Sequence, residues 1–327
     1  MESEPVAINL VAKWNWLNGR TLEKQYKENI SGFREWNRLD HCEDWLLFPE
    51  NIGPRLSIDE TNLSNGELYT IVTNKKAKGK KGVLVAIIKG TKASDVSIIL
   101  MNIPLKERIK VQEVTLDMSN AMDWIVRECF PNAKKVNDRF HVQMLVSEAL
   151  QEMRIKERWK AIDEENDMME QCRKEKIQYR PFTYPNVDTK KQLLARSRYV
   201  LYRPQSKWSD SQKERSGILF REFPELKKGY ELSMMFRSFY EHSKTHEEGK
   251  EKLDNWYKKT EEKGFKSFIT AMQSVKNHEG WILNYFPERS TNASAESFNA
   301  KLKGFRSIVQ GVTDKKFFLF RIAKIYG

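Results

Sequence analysis

Between Arg55 and Asp138 the chain reads as a succession of short strands and helices that no purely helical architecture accommodates. RLSID (55–59), GELYTIVT (66–73) and GVLVAIIKG (82–90) are rich in β-branched and aromatic residues. Turn signals separate them, notably Asn65-Gly66 and the lysine-laden NKKAKGKKG. A helix is expected over Ala93–Met101 and a strand over VQEVTLD (111–117). In SNAMDWIVRECF (119–130), Ala121, Ile125, Val126 and Cys129 recur near helical spacing. The short run AKKVND (133–138) then leads into a long helical pattern from Phe140 to Trp159. The order predicts a three-stranded meander followed by helix, strand, helix, strand, helix, which is an α/β fold.

Outside that block the texture is helical. Residues 1–50 hold Trp14, Trp16, Trp36 and Trp45 in helix-like stretches. Beyond residue 150, charge-laced helical sequence such as RIKERWKAIDEEN and KLDNWYKKTEEKGF is broken near Pro181, Pro185, Pro204 and Pro224. NASAESFNAKLKGF (292–305) again looks helical, with small polar residues first and lysines toward its end, as a helix dipole prefers. The expected division is a helical segment over 1–50, an α/β core over 51–150 and 288–327, and an all-helical insertion over 151–287.

Composition limits the partners. With 39% hydrophobic and 31% charged residues in 327, the chain can build a core, which argues against wholesale disorder. A formal charge of +12 favours nucleic acid, or a membrane surface, over a small acidic substrate. No apolar run approaches the ~18 residues of a membrane span, and the acidic MESEPVAINL is unlike a signal peptide. Cys42, Cys129 and Cys172 are odd in number and far apart, so neither a disulfide framework nor a metal pair is expected. Reduced thiols in the cytoplasm are the simplest reading.

Several residues are suited to chemistry. Alternation puts Leu56 and Ile58 on one face of their strand and Asp59 on the other, and opposes Val114 and Leu116 to Asp117. If these strands are neighbours, the two carboxylates converge at strand ends, where open α/β sheets bind ligands. Mutual repulsion there is relieved by a hard divalent cation, Mg²⁺, Mn²⁺ or Ca²⁺. The competing reading is two ordinary turn residues. Asp138 and His141 lie at a strand-to-helix junction, as an N-cap with its first turn or as a polar pair beside a metal site; spacing alone favours the cap. One helix face presents Glu296, Asn299 and Lys303 together, which unaided reads as a solvated face. Lys75, Lys76, Lys78, Lys80 and Lys81 crowd one turn, either a solvated tip or a phosphate contact.

Taken together, IDET (58–61), TLDMSNAM (115–122), FPNAKKVNDRFHV (130–142) and TNASAESFNAKLKGFRSIVQG (291–311) resemble bacterial insertion-sequence transposases of the DDE class. The match is best to the family usually written ISL-three, within it to a subgroup whose DNA-binding segment is separately encoded. DRFHV followed by NAxxExFNxKxK is specific as a combination, and the likeness covers most of residues 30–327. The resemblance implies a ribonuclease H-like core, three antiparallel strands and then alternating helices and strands, with a large all-α insertion before the last catalytic helix. It also implies Asp59, Asp117 and Glu296 as the catalytic and metal-binding acids, and two Mg²⁺, with Mn²⁺ able to substitute. Asp138 and His141 match a D-x-x-H motif beside that site. Lys301, Lys303 and Arg306, with Asn299 and the lysine turn, would contact DNA. The tryptophans are core residues by default, the alternative being that Trp208 or Trp281 stacks on an unpaired base. Residues 1–50 lack the cysteine-rich and helix-turn-helix segment of full-length relatives, which implies a small DNA-binding partner protein. Double-stranded transposon and target DNA, a homo-oligomer, no membrane and a nucleoid-associated cytoplasmic location complete the expectation. A nuclease on the same fold that cuts without joining, and a retired, DNA-binding regulator, are the alternatives.

Overall fold

The computed structural model describes residues 2–64, 66–286, 288–309, 312 and 314–327. Asn65 of the expected turn, and Gln310 and Gly311 at the end of the 291–311 motif, lie outside the described residues. The chain forms two compact units, Met1–Asp138 with Arg289–Gly327, and Arg139–Glu288.

In the first unit the described strands are β1 (Trp45–Leu47), β2 (Arg55–Ser64), β3 (Glu67–Asn74), β4 (Leu84–Lys89), β5 (Glu113–Leu116) and β6 (Lys134–Asn137). They form one mixed sheet in the order β1-β4-β3-β2-β5-β6. β2, β3 and β4 are the expected antiparallel meander, with β1 antiparallel on its outer edge. β5 and β6 join parallel to β2. Parallel neighbours need a crossover. Helices α3 (Ala93–Leu100) and α4 (Leu105–Arg108) supply the first, and α5 (Asn120–Cys129) the second.

Strand alternation divides the core in two. Leu56, Ile58, Val72, Ala86, Ile88, Val114 and Leu116 are packed with Val96 and Leu100 of α3 and Met122, Ile125 and Val126 of α5. Ile71, Leu84 and Ile87 are packed with α14 (Ala293–Ile308) and α15 (Lys315–Tyr326) through Phe298, Leu302, Phe305, Phe318, Leu319 and Ile322. Each such fully buried side chain contributes about 2 kcal/mol. Residues 1–50 are not wholly helical. Besides α1 (Ile8–Trp14) and α2 (Gly19–Gln25) they supply strand β1, and Ile8, Tyr26 and Phe33 brace Phe317 and Phe320 of α15.

The second unit is helical among its described residues: α6 (Arg139–Lys174), α7 (Lys190–Arg196), α8 (Arg198–Leu201), α9 (Asp210–Glu222), α10 (Pro224–His242), α11 (His246–Lys263), α12 (Lys266–Asn277) and α13 (Glu279–Leu283). The expectation is a helix over Phe140–Trp159, with a domain boundary at 150. α6 instead runs unbroken for 36 residues, about 54 Å at 1.5 Å per residue, and packs against α7, α10 and α12. Trp256 is fully buried, 4.7 Å from Phe236 between ring centroids, and its indole N–H donates to Leu232 O at 3.0 Å. Asp188 ties the loop before α7 to two helices. It is wholly buried, pairs with Arg196, and accepts from Arg215 Nε at 3.0 Å and Asn186 Nδ2 at 2.9 Å. No helix among the described residues is long and apolar enough to cross a membrane.

Two expectations follow. Asp188→Ala leaves the largely buried Arg215 without its carboxylate, Arg196 being half-exposed, and lowers stability by about 2 kcal/mol, read as an earlier urea midpoint. Cys42 and Cys129 are buried, and desolvation raises both thiols, Cys42 to about 11, so both remain protonated at pH 8. Under native conditions at that pH, Cys172 is alkylated first, and all three react at similar rates only in denaturant.

Candidate active site

The sheet register brings three aspartates into one row. Ser57 is opposite Thr115, and Thr115 is opposite Val136. Carried two residues further, past the end of β5, the same register would set Asp59 against Asp117 and Asp117 against Asp138. Side chains in one row of a sheet share a face, and neighbouring strands lie about 4.8 Å apart. Asp59 was expected to end its strand. β2 instead continues to Ser64 against β3, while β5 ends at Leu116, so Asp59 lies just past the end of its parallel neighbour. Asp138 N donates to Leu116 O at 2.9 Å, which extends the β5–β6 ladder to Asp138 itself.

The fourth acid arrives on α14. Phe298, Leu302 and Phe305, at i, i+4 and i+7, bury one stripe of this helix in the core beside the sheet. Glu296 is exposed in its first turn, where the helix dipole favours a carboxylate. One turn further, Asn299 is 5% exposed and its Nδ2 donates to Asp59 Oδ2 at 2.7 Å. Asp59 Oδ1 accepts the backbone N–H of Glu60 at 2.8 Å. Asp138, 2% exposed, accepts the backbone N–H of Asn292 through Oδ1 at 2.9 Å. Asn292 is the N-cap residue of α14, so a strand-end aspartate holds the start of the helix that carries Glu296. Asp138 and Glu296 each offer a carboxylate oxygen within 4.8 Å of the other. Asp138 also immediately precedes α6, the place of an N-cap, and His141 is the third residue of that helix, in the other compact unit.

The row is charged enough to perturb its neighbours. Glu60 is held above the usual carboxylate range, first by desolvation and then by the charges of Asp117 and Asp59. Hard oxygen donors gathered under mutual repulsion suit Mg²⁺ or Mn²⁺. Asn299 Oδ1 is buried with no hydrogen-bond partner among the described residues. Among the described residues, the carboxylates of Asp138 and Glu296 are close enough to share a divalent cation.

Not every expected DNA contact faces outward. Lys75 is turned inward, salt-bridged to Glu113 at 3.1 Å and bonded to the Thr115 hydroxyl on β5. Burial pulls its ammonium below the usual lysine range, and Glu113 partly opposes this. Lys76, Lys78, Lys80 and Lys81 are exposed. Lys301 Nζ donates to Gly79 O at 2.9 Å, which pins the lysine turn to α14, and Arg306 Nη1 donates to Asn62 Oδ1 at 3.3 Å. Gly79 has φ +73°, and a Cβ there would meet Lys301 Nζ at 2.8 Å, so only glycine suits that position. Lys303 is exposed. Trp208, considered above as a stacking platform, is 8% exposed and donates its indole N–H to Val200 O at 3.0 Å, which makes it a core residue. Trp281 is half-buried beside His278.

Two residues escaped sequence reasoning. Glu60 follows Asp59 directly in IDET, and its proximity to Asp117 depends on strand order. Asn292 had a visible signal, an asparagine just before a helical run.

Replacing Asp138 with alanine leaves the Asn292 N–H without its acceptor, at a local cost of about 1–3 kcal/mol. Hydrogen exchange at the first turn of α14 accelerates while that of β3 and β4 does not.

A family model described as a transposase, DDE_Tnp_ISL3, matches residues 56–322. No curated protein matches the chain.

Proposed function

The chain belongs to the ISL3 family of DDE transposases, and from that premise we propose that it cleaves DNA at the ends of an insertion sequence and joins the freed ends to target DNA. Family membership makes it a transposase that acts on DNA and implies a divalent metal. The finer reading is that Asp59, Asp117 and Glu296 are the catalytic acids and hold two Mg²⁺, with Mn²⁺ able to replace them. Its chief support is that β2 and β5 are parallel neighbours whose register, carried two residues past Ser57 and Thr115, brings Asp59 beside Asp117, together with the bond from the Glu296 helix to Asp59 through Asn299.

The first unit is then a ribonuclease H-like core, with which a mixed sheet of a meander followed by two parallel strands is compatible. The helical unit Arg139–Glu288 is the insertion before the last acid. When bound, the cation pair polarises the scissile phosphate and activates the attacking water or 3′-hydroxyl. The protein's own share is positioning. Asp59 is held within β2 and Asp117 directly follows β5, while α14 brings Glu296 to the same sheet. Lys76, Lys78, Lys80 and Lys81, with Lys303 and Arg306, offer contacts that hold the DNA backbone without reading its sequence. Asp138 stands beside the acids as an anchor for α14. End recognition falls to a separate small DNA-binding protein, the active assembly is a homo-oligomer on paired ends, and the reaction takes place on the bacterial chromosome in the cytoplasm.

Asp59→Asn, Asp117→Asn and Glu296→Gln each abolish Mg²⁺-dependent nicking and strand transfer on DNA carrying the insertion-sequence ends. DNA affinity in a gel-shift assay stays within a few-fold of wild type. Wild-type nicking by any one of them removes that acid from the site. Cutting with no joined product points instead to a nuclease.

A further inference from the structure

Asn299 has a chemical position that a DNA contact does not explain. Glu296, Asn299 and Lys303 share a helix face, and a carboxamide on such a face can meet a phosphate only if it is accessible. Asn299 is 5% exposed, whereas Glu296 and Lys303 are exposed. Its amide nitrogen is committed to Asp59 Oδ2 at 2.7 Å, across 240 residues of sequence. A primary amide taken out of water costs free energy unless it is hydrogen-bonded, and here a carboxylate supplies the strong, charge-assisted acceptor.

The consequences fall on Asp59. One of its oxygens accepts from Asn299 and the other from the Glu60 backbone, so both are held and the carboxylate plane is fixed. The same bond fixes α14 along β2, because Phe298, on the adjacent position, is locked in the core. Glu296 is one turn away on the same rigid helix. A single side chain therefore sets both the orientation of the first acid and the approach of the third.

We propose that Asn299 is a positioning residue that acts through Asp59, so that affinity for the divalent cation, and not affinity for DNA, depends on it. This deepens the metal-site reading above and rests on it. Groups that hold a metal ligand in place are commonly worth 10–100-fold in metal affinity.

The test is Mn²⁺ binding to the full chain without DNA, followed by the electron paramagnetic resonance signal of free Mn²⁺. Asn299→Leu, close in size but lacking the donor, weakens Mn²⁺ binding about 10-fold or more. Its melting curve and its metal-free affinity for insertion-sequence DNA stay near wild type. In an Asp59→Asn background the same leucine adds no further loss, because the group it acts through is gone. Should leucine disturb folding, Asn299→Ser, too short to reach Asp59, replaces it in the same cycle. Wild-type Mn²⁺ binding by the folded Asn299 variant overturns the inference, as does a loss confined to DNA affinity, or a loss that simply adds to that of Asp59→Asn. Mn²⁺ binding that Asp59→Asn leaves unchanged overturns the metal-site reading itself, which is a different result.

Discussion

The burial of one stripe of α14 is the interaction on which the site depends. Phe298, Leu302 and Phe305 seat this helix in the core, and the bond from Asn299 to Asp59 then fixes its place along β2. Once they are seated, the opposite edge of the helix has a fixed azimuth, and Asn299 meets Asp59 as a consequence. The N-terminal end is fixed separately, by Asp138 holding the Asn292 amide. A helix pinned at its first residue and along its length cannot slide by a turn, and a slide of one turn, 5.4 Å, would carry Glu296 away from any shared ion.

The basic surface is built on the same frame. The lysine turn is tied to α14 by Lys301, and Arg306 reaches Asn62 on β2. The lysine turn and the aspartates of the sheet therefore belong to one compact unit instead of separate loops. Lys75 belongs to the inside of that unit. Its bridge to Glu113 and Thr115 joins the turn to β5, the strand that leads directly to Asp117.

What was legible in the sequence depended on the range of the interaction. The meander, the alternation of helix and strand to residue 138 and the helix over Glu296 all followed from local patterning, because β-branched runs and turn residues act within a few positions. The family motif was legible for the same reason: Asp59, Asp117, Asp138 and Glu296 each sit in a short, distinctive string. Strand β1 was hidden among tryptophans that read as helical, since its three residues are strand only because β4 offers them a partner. The helical texture of α6 was legible from Phe140 onward, but its single run to Lys174 was not, because the charged second half offers little apolar periodicity.

The inward partners of Lys75, Trp208 and Asn299 were beyond any reading of composition, and for one physical reason. Each side chain is amphipathic or polar enough to live on either side of the surface, so its placement is decided by whether the fold supplies a partner. Glu113 does so for Lys75, the carbonyls of Val200 and Arg203 for Trp208, and Asp59 for Asn299. Those partners lie 38, 8, 5 and 240 residues away along the chain. The longest of these separations joins the first acid to the helix of the last, which is where a site assembled from remote strings needs a contact that neither string contains alone.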